Sequence, residues 1–188
     1  MSALLRQRPR YNVAAFVELI RPYPDEERWE LLDGEPVLMA PQSERHQRIV
    51  GNLSDHVRSL ARRKGCIALP GLGLLNDRIN DYAPIPDIVV RCGPPLDGGY
   101  ATDPVFVAEV LSPSTMGNDR GRKLEFFQTI ASLETILIVY QDELRVEAWH
   151  CGGGEWRLDV HRTRSSEVKA LGGTILLADL YEDVPLAE

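Results

Sequence analysis

The chain is poor in cysteine and has no long apolar run, and both absences restrict what it can be. Its 188 residues contain three cysteines, Cys66, Cys92 and Cys151, and no Cys-x-x-Cys pair. This spacing predicts neither a disulfide framework nor a zinc site, and a reducing cytoplasm is the expected location. No apolar stretch approaches the roughly 20 residues that cross a bilayer, and residues 1–10 lack the apolar core of a secretory signal. No membrane partner is therefore expected.

Positive charge is also scarce. The chain has 21 Lys and Arg against 28 Asp and Glu, a formal net charge of −7 and a pI of about 5.2. A tight, sequence-independent nucleic-acid binder usually has a basic footprint. Residues 45–64 are an exception, because they hold six basic side chains and one acid, Asp55. This stretch is either a solvated helix face or a surface that meets a phosphate backbone.

The amount and order of apolar residues predict one folded domain. Hydrophobic residues make up 44% of the chain, which is enough for a full core, and residues 1–188 are expected to form one domain with a loose arm over residues 1–10. Apolar periodicity, turn residues and caps predict helices over 12–20, 44–63 and 120–131 and hairpins over 29–39 and 144–162. Strands are predicted over 85–91, 105–111, 135–140 and 66–75, the last interrupted by Pro70, Gly71 and Gly73, and a short last element is predicted at Leu180 and Tyr181. This order predicts an α/β domain with a mixed central sheet.

Two acidic residues interrupt apolar, strand-like runs. Asp87 precedes Ile-Val-Val, and Glu109 lies in Val-Ala-Glu-Val-Leu. A buried carboxylate is costly unless it is paired or bound to a cation. If the two strands are neighbours, both carboxylates can hold Mg²⁺ or Mn²⁺, with the Val110 carbonyl as a third ligand. The competing explanation is that each acid pairs with an arginine or caps a loop.

Three further polar residues are candidates for the same site. Lys123 has Phe127 one helical turn further on, so its side chain is expected near the buried face, where it can orient water and offset charge on a phosphoryl group. Glu30 is either a third acid or a solvent-facing strand residue. His46 lies in the first turn of the long helix and is either a phosphate or proton-transfer contact or a structural histidine. No Walker loop, nucleophile elbow or dinucleotide fingerprint occurs.

Together these stretches resemble the Uma2-type proteins, formerly a domain of unknown function 820, within the PD-(D/E)XK restriction-endonuclease-like superfamily. The resemblance rests on five motifs: Trp29-Glu30-Leu31-Leu32-Asp33-Gly34-Glu35, Ser43-Glu44-Arg45-His46-Gln47-Arg48-Ile49-Val50, Pro86-Asp87-Ile88-Val89-Val90, Glu109-Val110-Leu111-Ser112-Pro113-Ser114-Thr115 and Asp119-Arg120-Gly121-Arg122-Lys123. It extends from Trp29 to about Tyr140 and implies a restriction-endonuclease-like core with an added N-terminal helix and hairpins.

The resemblance also implies roles for single residues. Asp87 corresponds to the first metal-binding aspartate and Glu109 to the acid of the (D/E)xK element. The lysine expected two residues after that acid is replaced by Leu111. The family carries it on the following helix, where Lys123 stands. Glu30 and His46 match an early glutamate and a helix-start histidine of the family.

The expected function is that of a Mg²⁺- or Mn²⁺-dependent phosphodiesterase, in particular a DNA endonuclease. Resemblance to other members of the fold implies a homodimer, with the hairpin around residues 144–149 contributing and Trp149 and Trp156 as anchors. The rival hypothesis is a non-catalytic nucleic-acid-binding or regulatory module that keeps the nuclease fold. The acidic pI favours this rival, whereas the presence of Asp87, Glu109 and Lys123 together favours the enzyme.

Overall fold

The computed structural model describes residues 9–24, 26–111 and 118–186, and for residues 118–120 it describes the backbone alone. Most of the expected N-terminal arm and the whole Ser112-Pro113-Ser114-Thr115 motif lie outside the described residues. Within them, no helix is long and apolar enough to cross a membrane.

The first helix and hairpin form where the sequence predicts them. Helix α1 spans Val13–Ile20, and the Asn12 side chain caps it by accepting a hydrogen bond from the Ala15 amide at 2.8 Å. Strands β1 (Trp29–Leu32) and β2 (Glu35–Leu38) pair antiparallel. Asp33 and Gly34 connect them with φ values of 48° and 78°, and Asp-Gly pairs tolerate this left-handed backbone.

The long helix α2 spans Glu44–Arg63, the range that the sequence predicts. The Ser43 hydroxyl accepts a hydrogen bond from the His46 amide at 3.2 Å, which caps the N-terminus. Gly65 follows the helix with φ 71°, a conformation that glycine adopts without steric cost. The helix buries the apolar stripe Ile49, Leu53, Val57, Leu60 and Ala61 against the sheet.

The remaining elements include the predicted strands and a predicted helix. They are β3 (Ile67–Pro70), β4 (Gly73–Leu74), β5 (Ile88–Arg91), β6 (Tyr100–Ala101), β7 (Pro104–Leu111), α3 (Asn118–Gln128), β8 (Thr135–Tyr140), β9 (Val146–Gly152), β10 (Glu155–His161), β11 (Glu167–Ala170), β12 (Gly173–Leu176) and α4 (Leu177–Leu180).

A six-stranded mixed sheet with the strand order β10-β9-β8-β7-β5-β3 forms the centre of the fold. β7 and β8 are parallel, and the other neighbours in this sheet are antiparallel. Alternate residues of the central strands face two separate apolar clusters, one with α2 and one with α3. Because both faces are covered, β5 and β8 are apolar almost throughout. The predicted mixed α/β class is confirmed.

The structure agrees with one predicted interruption and differs from the predicted elements past residue 162. The segment 66–75, predicted as a strand interrupted by Pro70, Gly71 and Gly73, forms β3 and β4, and Gly71 between them takes φ 64°. Past residue 162 the sequence predicts one short element, whereas the chain forms the β11–β12 hairpin before α4. The Tyr181 hydroxyl secures the end of α4 by donating to the Tyr140 carbonyl at 2.8 Å.

The prediction that the cysteines form no disulfide is wrong. Cys66 and Cys92 form a disulfide that closes a sequence separation of 26 residues. Ile67 pairs with Arg91 across β3 and β5, so the two cysteines lie opposite each other one position beyond this ladder. Their separation in sequence gives no sign of this pairing. The cytoplasmic location stays a prediction, without the support that an absence of disulfides would give it.

Candidate active site

The pairing of β5 with β7 brings Asp87 and Glu109 together. Ile88 pairs with Ala108 in this antiparallel ladder, so Asp87, just before β5, lies opposite Glu109. Their side chains are 15% and 12% exposed. The two strands are therefore neighbours, as the sequence-based hypothesis requires, and both carboxylates lie at the same end of the ladder.

Asp87 is held from two sides at one oxygen. Its Oδ2 accepts a hydrogen bond from the Val110 amide at 2.7 Å and lies 3.3 Å from His46 Nε2. The Asp87 carbonyl also accepts a hydrogen bond from the Gly71 amide at 3.2 Å. The recorded contact of Val110 is thus made by its N–H group, and a role for its carbonyl as a metal ligand stays a prediction.

His46 lies in the first turn of α2 and is buried at 2% exposure. Its Nδ1 is buried and makes no hydrogen bond within the described part of the chain. A proton on Nδ1 would thus lack an acceptor among the described residues, whereas Nε2 lies 3.3 Å from Asp87 Oδ2. His46 accordingly lies in contact with Asp87, and its role there stays a prediction.

Lys123 reaches the carboxylates from α3. Its Nζ lies 2.7 Å from Glu109 Oε1 and 2.8 Å from Glu30 Oε1, and its side chain is 12% exposed. Glu109 is on the sheet face that packs against α3, and buried Phe126 and Phe127 anchor this helix to that face. Desolvation opposes the charge of the ammonium, but the attraction of the two carboxylates raises the pKa of Lys123 above its ordinary value.

Glu30 is a buried member of this cluster. It is 5% exposed, and its Oε1 accepts a hydrogen bond from the Ile85 amide at 2.7 Å in addition to its contact with Lys123. Of the two alternatives that the sequence leaves open for Glu30, the structure therefore has the acid in the pocket. The hydrogen bond from Ile85 also connects the first hairpin to the segment that leads to Asp87.

Glu109 has a raised pKa. Burial raises its pKa from 4.5 to about 7. The nearby carboxylates of Asp87 and Glu30 raise the pKa further, and these effects together outweigh the attraction of Lys123, which lowers it. Its Oε2 is buried and, within the described residues, has no hydrogen-bond partner. An acceptor oxygen without a donor, beside a second carboxylate, fits the environment that a divalent cation requires.

The donor set fits an oxygen-binding cation that keeps much of its water. Among the described residues, no three side chains of His, Cys, Asp or Glu are grouped as a ready metal cage. Mg²⁺ commonly uses one or two carboxylates and completes its shell with water and substrate oxygens. Asp87 and Glu109 match that requirement, and Mn²⁺ accepts the same oxygen ligands.

A cleft of about 530 Å³ is lined in part by Asp87 and His46, whereas Glu30, Glu109 and Lys123 are not among its lining residues. Arg28 also lines it, is exposed, and has no ion-pair partner in the described part of the chain. The Arg28 guanidinium rests against Gly71, where a Cβ atom would collide with it. Sequence reasoning missed Arg28, because a lone arginine before an apolar strand carries no recognisable signal.

Comparison with known proteins identifies the class and then the family. The fold matches a crystal structure of a putative nuclease of the DUF820 group from Anabaena variabilis, with a TM-score of 0.74, 16% identity and coverage of 90% of this chain and 97% of that one. The protein thus has a nuclease-like fold. The family model of Uma2, described as a putative restriction endonuclease, matches residues 13–177. The chain belongs to the Uma2 family, and the family resemblance of its motifs is confirmed.

Two proteins from Synechocystis sp. are similar to this chain over most of their length. The uncharacterized protein sll1609 is 30% identical over 149 residues, which cover 76% of this chain and 84% of the relative. The uncharacterized protein slr1290 is 28% identical over 160 residues, which cover 82% and 84%.

Proposed function

We propose that this protein is a Mg²⁺- or Mn²⁺-dependent phosphodiester hydrolase, and specifically a DNA endonuclease. We further propose that it consists of one domain and acts in the cytoplasm. One observation carries the proposal: Asp87 and Glu109 face each other across β5 and β7, and the ammonium group of Lys123 lies 2.7 Å from Glu109. Paired carboxylates beside a lysine provide a cation site and a fixed positive charge in one place.

Asp87 and Glu109 would hold the ion, with the main chain of Val110 beside them. Mg²⁺ or Mn²⁺ at this position supplies charge neutralisation for a phosphoryl group and acidifies water. The chain prepares the two ligands differently. Val110 and His46 both contact Oδ2 of Asp87, which fixes the orientation of that carboxylate, while Oε2 of Glu109 has no competing donor among the described residues.

Lys123 would act on the reacting phosphodiester. Its charge is maintained by Glu30 and Glu109, so the ammonium is positioned before substrate arrives and needs no reorganisation. In this role it offsets negative charge that develops on the phosphoryl oxygens and orients the attacking water through its N–H groups. Glu30 then serves as a positioning residue, because its Oε1 is shared between Lys123 and the Ile85 amide.

The cleft supports a nucleic-acid backbone as the substrate. Arg28 provides a guanidinium group without an acidic partner among the described residues, beside the cleft wall that contains Asp87. Such a group binds phosphate oxygens in a bidentate manner. By contrast, four of the six basic residues in the stretch 45–64 have an acidic partner: Arg45 pairs with Asp142, Arg48 with Glu44, Arg58 with Asp55 and Lys64 with Glu134. These pairs favour a solvated helix face for that stretch.

The net charge of −7 favours the rival hypothesis, a nuclease-like module that binds without cutting. The decisive experiment compares cleavage of supercoiled plasmid and single-stranded DNA in Mg²⁺, Mn²⁺ and EDTA. Wild type, Glu109→Gln and Lys123→Met are assayed beside Glu182→Gln, which alters an exposed carboxylate outside the site. Calorimetric titration with Mn²⁺ accompanies each assay.

We expect metal-dependent cleavage by wild type and Glu182→Gln, no measurable cleavage by Glu109→Gln, and about a 10²- to 10³-fold lower rate for Lys123→Met. Mn²⁺ should bind wild type and fail to bind Glu109→Gln. Equal cleavage by wild type and Glu109→Gln would refute the assigned site. Absence of cleavage by all proteins, with DNA binding retained, would establish the non-catalytic module instead.

A further inference from the structure

The outer strand β10 has an unpartnered edge. In the described part of the chain it pairs only with β9, and it is seven residues long. Leu158 and Val160 in its centre are 41% and 44% exposed, which is unusual for apolar residues on a strand. Long edge strands with exposed apolar residues are templates for pairing with another chain.

The β9–β10 hairpin determines which backbone groups are free. Gly153 and Gly154, with φ values of 64° and 86°, form a two-residue turn between Gly152 and Glu155. In such a hairpin the pair that flanks the turn is hydrogen bonded, and hydrogen-bonded and non-hydrogen-bonded pairs alternate from there. The N–H and C=O groups that point away from β9 therefore belong to three residues, Trp156, Leu158 and Val160.

We infer that β10 pairs antiparallel with β10 of a second copy of this chain, about a two-fold axis at Leu158. Leu158 is the central residue of the strand, so this register uses all seven residues. It also matches the backbone groups, because Leu158 faces Leu158 of the second copy through outward N–H and C=O groups. The two sheets would join into one of twelve strands.

In this register the charged side chains of one β10 match those of the other copy. In the neighbouring registers, which overlap by a similar length, they do not match. With the axis at Leu158, Arg157 lies opposite Asp159 of the second copy, and Glu155 lies opposite His161. An axis at Arg157 or at Asp159 would put that residue opposite its own copy. Like charges directly opposite each other in a sheet are destabilising, whereas opposite charges attract.

The apolar face of β10 supports the same arrangement. Trp156, Leu158 and Val160 share one face, and Trp156 is already anchored there by donating its indole N–H to the Gln128 carbonyl at 3.3 Å. Pairing places Val160 of one copy opposite Trp156 of the other, so the exposed apolar residues cover one another. β9 lies between β8 and β10, so it has no free edge and the expected contribution of residues 144–149 would be indirect.

The test measures mass in solution by sedimentation velocity and light scattering over a range of protein concentrations. Arg157→Asp puts like charges opposite each other twice in the dimer, and the double variant Arg157→Asp/Asp159→Arg restores both pairs with exchanged signs. Arg164→Asp makes the same charge change at an exposed site outside β10. We expect wild type, Arg164→Asp and the double variant to be dimers. For Arg157→Asp we expect a dimer dissociation constant at least about tenfold higher than that of wild type.

A monomeric wild type would overturn the inference, and so would a dimer that Arg157→Asp leaves unchanged, since its interface would lie elsewhere. Failure of the double variant to restore the dimer would overturn the register. Urea unfolding of each variant separates dissociation from misfolding, because the altered side chains are exposed. None of these readouts uses nuclease activity, so the outcome is independent of the proposed function.

Discussion

The substitution of Glu109 allows a quantitative test of how much folding free energy the buried, ionised carboxylate costs. Its pKa is raised from 4.5 to about 7 by burial, with the neighbouring carboxylates adding to the effect. Each pH unit of such a rise corresponds to about 1.4 kcal/mol, so the ionised carboxylate costs about 3 kcal/mol of folding free energy above pH 7. We expect the substitution Glu109→Gln to remove this cost, because the amide keeps the shape of the side chain and does not titrate.

The sign of the effect follows from proton binding. With a raised pKa, the native state keeps a proton on Glu109 over a pH range in which the unfolded chain has already released it. The free energy of unfolding therefore falls as pH rises from 4.5 to 7 and is unaffected by this group at higher pH. About 2 kcal/mol of the change lies between pH 5.5 and 8.

Urea unfolding in EDTA at pH 5.5, 6.5, 7.5 and 8 measures the effect directly. The stability of Glu109→Gln relative to wild type should increase by about 2 kcal/mol across this range, while Mn²⁺ binding is lost. Glu182→Gln provides the control, and its curve should run parallel to that of wild type. Parallel curves for Glu109→Gln and wild type would refute the argument, because they would mean that Glu109 has an ordinary pKa in the folded protein.

Three further changes test other contacts. Lys123→Met leaves two buried carboxylates without their shared cation, and thermal unfolding at pH 8 should show a loss of about 3–5 kcal/mol; an unchanged midpoint would contradict the ion cluster. Cys92→Ser removes the disulfide that closes 26 residues, so urea unfolding should show that the free energy of unfolding falls by about 3 kcal/mol. The control Cys151→Ser, which alters a free thiol, should lower it by less than about 1 kcal/mol. Arg28→Ala should weaken the binding of fluorescent duplex DNA and reduce the salt slope by about one, while Arg21→Ala, whose partner is Glu18, should have no effect.

The parts of the fold that were predictable have local signals. Helix α2 carries its own boundaries, since Ser43 caps its start and Gly65 follows its end. Strand β8 is apolar after Thr135 and is bounded by Glu134 and Gln141, so its limits were also evident. The β11–β12 hairpin was missed because its strands have only four residues each and alternate too briefly to be recognised.

The sequence pointed to the clustered polar residues of the candidate site but to neither Arg28 nor the contacts between them. Glu109 was recognisable because an acid within an apolar strand requires a partner, and Lys123 because it stands near the apolar side of a helix. The bridge that the Lys123 ammonium makes between Glu109 and Glu30 depends on how α3 packs on the sheet. The Cys66–Cys92 disulfide likewise depends on strand register, which no local pattern encodes.

The bridge made by Lys123 has a consequence for the order of events during synthesis. Three carboxylates precede Lys123 in the chain and leave the ribosome first: Glu30 and Glu109, which contact it, and Asp87, which lies opposite Glu109. A nascent chain that ends before residue 123 therefore has three acids to bury and no ammonium to neutralise them. We expect β1, β5 and β7 to associate fully only after α3 has been made, so that closing of the site coincides with a late stage of translation.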